Sequence, residues 1–231
     1  MCKDKKILAI IPARGGSKGL PGKNIKDLCG KPLICYSIDI AREIVDDGDI
    51  CVSTDDSQII QVVENYGLKV PFVRPEVLAT DTASSFEVIK HALEYYITQG
   101  KSYDIILLLQ PTSPLRRVSH VKDAISLYRD DIDMVVSVKN SHSASVLCNE
   151  DENGYLRLTL NHSANRRQDM PIYYEYNGAI YVINVKSFLK AQNLSFAKCK
   201  KYVMDDMFSI DIDSTIDFQY AEFLVKHYLF F

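Results

Sequence analysis

Excess positive charge is missing from this 231-residue chain: 27 lysines and arginines stand against 30 aspartates and glutamates, a formal net charge of −3. That balance excludes a nucleic-acid binder relying on bulk positive charge and leaves room only for a local basic pocket. Long apolar runs are missing too. The most apolar, residues 105–109 (IILLL), is strand-sized and far short of the roughly 20 residues that span a bilayer. Pro12 and Arg14 cut off the first apolar run, so no secretory signal is read there. The six cysteines (Cys2, Cys29, Cys35, Cys51, Cys148, Cys199) form no C-x-x-C pair. A disulfide framework or zinc site is therefore not expected, and the cysteines read as reduced, structural residues of a cytoplasmic protein. The composition of disorder is absent as well, since 47% hydrophobic and 25% charged residues are ordinary for a globular chain. No internal repeat or interdomain linker is visible, so residues 1–231 read as one domain.

What is present is alternation. Residues 7–11 read as a buried strand that Pro12 ends. Pro32 opens a helix through Leu33, Ile34, Ile38 and Ala41. A second strand covers 50–53. Asp55 or Asp56 caps a helix carrying Ile59, Ile60, Val62 and Val63, which Gly67 ends. A short strand is read at 70–73. Ser84 and Glu87 have capping-box spacing before another helix. A strand at 105–109, a helix near 118–128 and a strand at 134–138 follow. This order predicts βαβ units and a mostly parallel sheet, with the site beyond the carboxyl ends of the strands. Residues 12–24, 53–56 and 110–117 then become the informative loops. Residues 139–176 break the pattern. They are polar and turn-rich, and read as a hairpin around Asn153-Gly154 followed by an extended arm suited to oligomerisation. A strand at 178–185 follows, then a short segment at 209–213 and a last helix capped by Ser214 or Thr215.

Four segments carry chemistry. The loop after the first strand holds Gly15, Gly16, Gly19 and Gly22 among Arg14, Lys18 and Lys23. Exposed backbone N–H groups beside cations suit a polyphosphate, although a solvated loop has the same composition. It is neither a Walker A loop nor a Rossmann glycine fingerprint. In the run Ser209-Ile210-Asp211-Ile212-Asp213, an extended backbone puts Asp211 and Asp213 on one face, a geometry for Mg²⁺; Asp213 as a helix cap is the alternative. Gln110 lies just past a central strand, in either a site edge or a rigid turn. Arg166-Arg167-Gln168-Asp169 suits an acidic substrate or a solvated basic turn. The five histidines are dispersed and read as structural or surface residues.

Together these segments resemble the acylneuraminate cytidylyltransferase family, the enzymes that make CMP-activated sialic acids. The resemblance runs from about Ile7 to Leu224. It covers the glycine-rich loop, Val52-Ser53-Thr54-Asp55, Arg74-Pro75, Leu78-Ala79, residues 81–85, residues 109–116, Arg167-Gln168, residues 177–181 and residues 209–213. The related Kdo enzymes differ at Gly15-Gly16-Ser17-Lys18. The resemblance implies a Rossmann-like three-layer α/β nucleotide-diphospho-sugar transferase fold, with a mostly parallel sheet and a small dimerisation arm at 139–176. It implies that CTP and a nonulosonic, sialic-type acid give the CMP-sugar and pyrophosphate with Mg²⁺. Arg14, Gly15, Gly16, Ser17, Lys23 and Asn24 would hold the triphosphate, and Arg74, Ala83 and Ser85 the cytidine. Gln110, Arg167 and Asn177 would face the sugar, with Arg167 reaching in from the other subunit of a homodimer. Asp211 and Asp213 would hold the metal, and Asp211 is the candidate base. Arg14, Lys23, Gln110 and Asp211 form the implied catalytic set. Members that use N-acetylneuraminate tend to carry a lysine and an arginine where this chain has Ser145 and Glu175. Legionaminate and pseudaminate therefore stay open as the acid. A sugar-1-phosphate nucleotidyltransferase and a non-catalytic nucleotide-binding regulator are the rival readings. No nucleic-acid or membrane partner is expected.

Overall fold

In the computed structural model, residues 5–141, 143, 146–160 and 171–228 are described. β1 (Ile7–Pro12) is a continuous apolar run with four buried middle residues. β2 (Asp27–Leu28) and β3 (Lys31–Pro32) form a small hairpin whose two turn residues, Cys29 and Gly30, both have positive φ, as a type I′ turn requires. α1 (Leu33–Arg42) follows, with Pro32 at the N-cap position. β4 (Ile50–Ser53) is fully buried. α2 (Ser57–Asn65) is capped by Asp56, whose Oδ1 accepts from the Gln58 and Ile59 N–H groups at 2.7 and 3.2 Å. The strand expected at 70–73 shrinks to one bridge between Thr54 and Val73, because Pro71 and Pro75 have no N–H to extend a ladder.

α3 (Ser85–Thr98) starts at the expected capping box of Ser84 and Glu87. β5 (Ile105–Leu108), α4 (Val118–Ser126) and β6 (Met134–Asn140) complete the alternating part. β7 (Cys148–Glu150) and β8 (Leu156–Leu158) are the expected hairpin, turning through Gly154 at φ +81°. The extended segment expected after it falls mostly on residues 161–170, outside the described residues. The chain returns in β9 (Tyr174–Asn184), which starts four residues earlier than the apolar pattern marks. α5 (Val185–Lys190), β10 (Cys199–Val203) and α6 (Thr215–Tyr228) close the chain.

Six strands form one sheet in the order β10-β6-β9-β5-β1-β4. β9 runs antiparallel to β5 and β6, and the other pairs are parallel. Side chains alternate across β1, so Leu8 and Ile10 pack toward α3 and α5 while Ala9 and Ile11 pack toward α1, α2 and α4. Helices thus cover both faces and the sheet is apolar on both sides, as parallel strands require. A third cluster seats Phe218, Ala221 and Leu224 of α6 against Leu20, Leu33, Leu115 and Ile212, docking the last helix beside the loops of the site. No helix among the described residues is long and apolar enough to cross a membrane.

Candidate active site

Two adjoining cavities open at the carboxyl ends of β1 and β5. One, of about 270 Å³, is lined by Arg74, Thr80, Asp81, Ala83, Ser85 and Gln110. The other, of about 250 Å³, is lined by Ser17, Lys18, Gly19, Lys23, Asn24 and Asp213. Pro12, Arg14 and Thr112 belong to both, so the two chambers meet at one wall. A larger cavity of about 650 Å³, beside Lys6, Ile7 and Tyr103, lies at the opposite ends of the strands and contains none of the expected site residues.

The glycine-rich loop follows its present course because two of its residues lack a side chain. A Cβ on Gly15 would stand 2.3 Å from Asp56 Oδ2, and one on Gly19 would stand 2.2 Å from the Asp213 carbonyl. The first contact presses the loop onto the start of α2, and the second presses it onto the carboxylate segment. A Cβ on Gly16 would meet nothing within 4 Å. Gly15 N–H also donates to Asp55 Oδ1 at 3.2 Å. Gly22, at φ +66°, turns the chain into Lys23 and Asn24, both buried. Asn24 Nδ2 donates back to the Arg14 carbonyl at 3.0 Å.

Lys23 is only 8% exposed, so its ammonium needs partners. Nζ donates to the Ile212 carbonyl at 2.5 Å and to Asp213 Oδ1 at 3.0 Å. Arg14 and Lys18 both pair with Asp81 across the mouth between the chambers, at 2.7 and 2.5 Å. These two cations, Lys18 first, hold the Asp81 carboxyl below the usual carboxylate range. Arg74 is buried under the first chamber, where Nε donates to Ser53 Oγ at 3.0 Å and the guanidinium also reaches the Ser53 carbonyl. Burial pulls its pKa down, against the charge of Asp55.

Residues 209–213 are extended but form no strand, because among the described residues a single backbone–backbone bond, from Ile212 N–H to the Thr112 carbonyl at 2.8 Å, joins the run to a neighbouring segment. The alternation survives without a ladder: Ile212 is buried while Asp211 and Asp213 are exposed. Asp213 does not cap α6 with its carboxylate. Ser214 and Asp217 form that cap reciprocally, with Ser214 N–H to Asp217 Oδ2 at 2.7 Å and Asp217 N–H to Ser214 Oγ at 3.3 Å. Asp211 opens to solvent on one side and is packed by protein on the others. That partial burial raises its pKa; a hydrogen bond with Thr112 opposes the shift and the charge of Asp213 adds to it. Two hard oxygen donors that repel each other suit a divalent cation. The described residues contain no cluster of three or more metal-type side chains, so such a cation would draw its other ligands from phosphate or water.

Gly178 brings the two halves of the site together. It has φ +73°, and a Cβ there would lie 3.2 Å from Ser113 Oγ and 3.5 Å from both Asp211 Oδ2 and Gln110 Oε1. Gln110 and Asp211 therefore converge on one bare stretch of β9. Asn177 is placed differently from the other expected residues. It is 3% exposed, its Oδ1 accepts from Ser137 Oγ at 2.6 Å and its Nδ2 donates to Ser209 Oγ at 2.9 Å, so its amide ties β9 to its neighbours from behind the site. Glu175 pairs with Lys139 at 3.0 Å and accepts from Ser141 Oγ at 3.2 Å. Arg167 and Ser145 lie outside the described residues. Sequence reasoning missed Asp81 as the counter-ion of the loop and Thr112 and Ser113 as contacts. The last two stand inside a motif it had already marked.

Comparison with known proteins adds three findings. The family model for Cytidylyltransferase matches residues 8–228. The N-acylneuraminate cytidylyltransferase of Escherichia coli O18:K1:H7 is 40% identical over 220 residues, covering 94% of this chain and 51% of the relative. The chain thus spans about half the length of that relative. The CMP-N,N'-diacetyllegionaminic acid synthase of Legionella pneumophila is 36% identical over 229 residues, covering 96% of this chain and 97% of that one. Among solved structures, a CMP:2-keto-3-deoxy-manno-octonic acid synthetase complexed with CTP superposes with a TM-score of 0.70 at 19% identity, covering 96% of this chain and 98% of that chain. That likeness concerns the fold.

Proposed function

From the premise that this chain belongs to the cytidylyltransferase family, we propose that it is an enzyme that activates a nonulosonic acid with CTP, giving the CMP-sugar and pyrophosphate. The observation that carries the reading is the pair of chambers meeting at Arg14 and Thr112. One has hydrogen-bonding walls at Arg74, Ala83 and Ser85 for the cytosine ring, and the other has the cations and backbone N–H groups that a triphosphate needs. A nucleotide laid across both would bring its α-phosphate toward Gln110 and Asp211.

In this reading the anomeric hydroxyl of the acid sugar attacks the α-phosphorus. An O–P bond forms, the bond to the β-phosphate oxygen breaks, and pyrophosphate leaves. Phosphoryl transfer of this kind depends on positioning and on charge neutralisation. Arg14, Lys23 and the loop N–H groups of Gly15, Gly16 and Ser17 hold the departing pyrophosphate. Gln110 orients the sugar, and Asp211 accepts the hydroxyl proton. Asp211 and Asp213 would hold Mg²⁺, which supplies charge neutralisation on the phosphate oxygens. Arg167 binds the sugar carboxylate from the second subunit of a homodimer. The exposed apolar residues of the β7–β8 hairpin support that dimer: Leu156 is 72% and Leu158 50% exposed, and the hairpin's described residues belong to no core cluster. A cytoplasmic location belongs to the same reading, with CTP as the donor.

N-acetylneuraminate is the first acid to test. A legionaminate- or pseudaminate-type acid is the second reading, supported by the end-to-end match to the Legionella enzyme and by Glu175 standing where a cation is usual. A panel of nonulosonic acids with CTP, followed by pyrophosphate release, tests both. Turnover with CTP should exceed that with UTP, ATP or GTP, because a pocket built of hydrogen-bonding groups rejects the wrong edge. Asp211→Asn and Asp213→Asn should each lower kcat ~10²-fold or more. Near-normal turnover in either, or equal use of ATP, defeats the reading.

A further inference from the structure

Arg116 is a cation with no ion pair among the described residues, and it is wholly buried, at 0% exposure. The charge of Asp211 acts on it without forming an ion pair and offsets only part of the burial, so the rest of the cost falls on satisfying its donors. Here they go to neutral oxygens on three separate elements. Nε donates to the Ala179 carbonyl of β9 at 2.9 Å. Nη1 and Nη2 donate to Ser37 Oγ of α1 at 3.1 and 3.2 Å. Nη2 also reaches the Gln110 carbonyl, at the turn that leaves β5. The same carbonyl takes the Ser113 N–H at 3.3 Å and the Ser37 hydroxyl at 3.5 Å.

These contacts surround the convergence at Gly178. One arm of the fork fixes the backbone of Gln110, and another fixes Ala179, the neighbour of the glycine against which Gln110 Oε1 and Asp211 Oδ2 are set. A core cation kept only for stability could be replaced by apolar side chains, as buried ion pairs often can. A rigid planar fork spanning three elements has a more specific use, and a lysine's point charge cannot reproduce it. We propose that Arg116 is a positioning residue for the reaction, whose guanidinium holds the Gln110 turn against Ala179 so that the Gln110 amide presents to the acid sugar in the reactive geometry. This rests on the reading of Gln110 given above.

The test uses the full chain with CTP and the best acid of the panel. Arg116→Lys, checked for folding by circular dichroism and melting, should bind CTP in calorimetry within threefold of the parent. Its kcat/KM for the acid should fall ~30-fold or more, the scale on which misplacement of a reacting group acts. On a Gln110→Ala background the same substitution should cost less than a further threefold, because residues that act through each other are not additive. If Arg116→Lys does not fold, Ser37→Ala removes the shared acceptor on α1. It should lower the same parameter about fivefold, again without effect on the Gln110→Ala background. A large loss in Gln110→Ala with none in folded Arg116→Lys overturns the inference alone, as do losses that multiply. Near-normal acid kcat/KM in Gln110→Ala overturns the reading of Gln110 and this inference with it.

Discussion

Gly178 sits at a place where any other residue would be strained twice over. Its φ of +73° lies in the left-handed region, and its missing Cβ makes room for Gln110 and Asp211. Alanine there should lose ~1–2 kcal/mol of stability in urea titration, the scale of the left-handed penalty, and lower turnover as well. Asp81 argues in the opposite direction. Its carboxylate occupies Arg14 and Lys18, the cations that a triphosphate would claim. Asp81→Asn should therefore tighten CTP binding several-fold in calorimetry at low salt, and the advantage should shrink at high salt, where exposed pairs are screened. The place of Arg14, Lys23, Asn24 and Gln110 on the cavity walls was legible because each follows a strand end within a short, chemically unusual loop, and that of Asp213 because its run alternates apolar and acidic residues. The orientation of Asn177 was not. Its partners Ser137 and Ser209 stand 40 and 32 residues away, and only the folded sheet brings them to its amide.

Elements with local causes were the most readable. β1 and β5 are unbroken apolar runs, and β4 is apolar up to Ser53, because both their faces are covered, and the caps at Asp56 and Ser84 depend on residues two or three positions on. β10 gives no such signal. It is an edge strand, mostly exposed, and carries Lys200 and Lys201, a pattern that protects an edge from pairing with another chain. What seats it is Asp133, at the foot of β6. Oδ2 accepts the Lys198 N–H at 2.9 Å before β10, and Oδ1 accepts the Ser187 hydroxyl at 2.7 Å from α5. Those bonds, that from Ser187 first, hold the Asp133 carboxyl below its usual range. A depressed carboxylate stabilises the fold above its unfolded pKa and loses that contribution as pH falls through the folded value. Asp133→Asn should accordingly be less stable than the parent in urea at pH 7, and the gap should close as pH drops below about 4.

At the scale of the whole molecule, the arm between β6 and β9 exposes apolar side chains that a lone subunit would leave wet. Tyr155, Leu156 and Leu158 are all at least half exposed. Leu156→Asp with Leu158→Asp should give a folded monomer in analytical ultracentrifugation, with the acid-dependent step lost if Arg167 works across subunits. Mixing an Arg167→Ala subunit with an Asp211→Asn subunit should then restore activity in the heterodimer. The alternating first half of the sheet was legible from periodicity, whereas the insertion of β9 between β5 and β6 was not, since no local pattern states which neighbours a strand will choose. That insertion also orders events in time. During synthesis β5 and β6 emerge with the flanks that will face each other across a gap, and both stay unpaired until residues 174–184 arrive to fill it. The early chain must carry two open edges, the condition in which nascent sheets aggregate. The strand that closes them is the one that bears Gly178. Closing the gap in the sheet and setting Gly178 against Gln110 are therefore the same folding step, and β10 and the Asp211–Asp213 run, which lie later in the chain, join what that step has built.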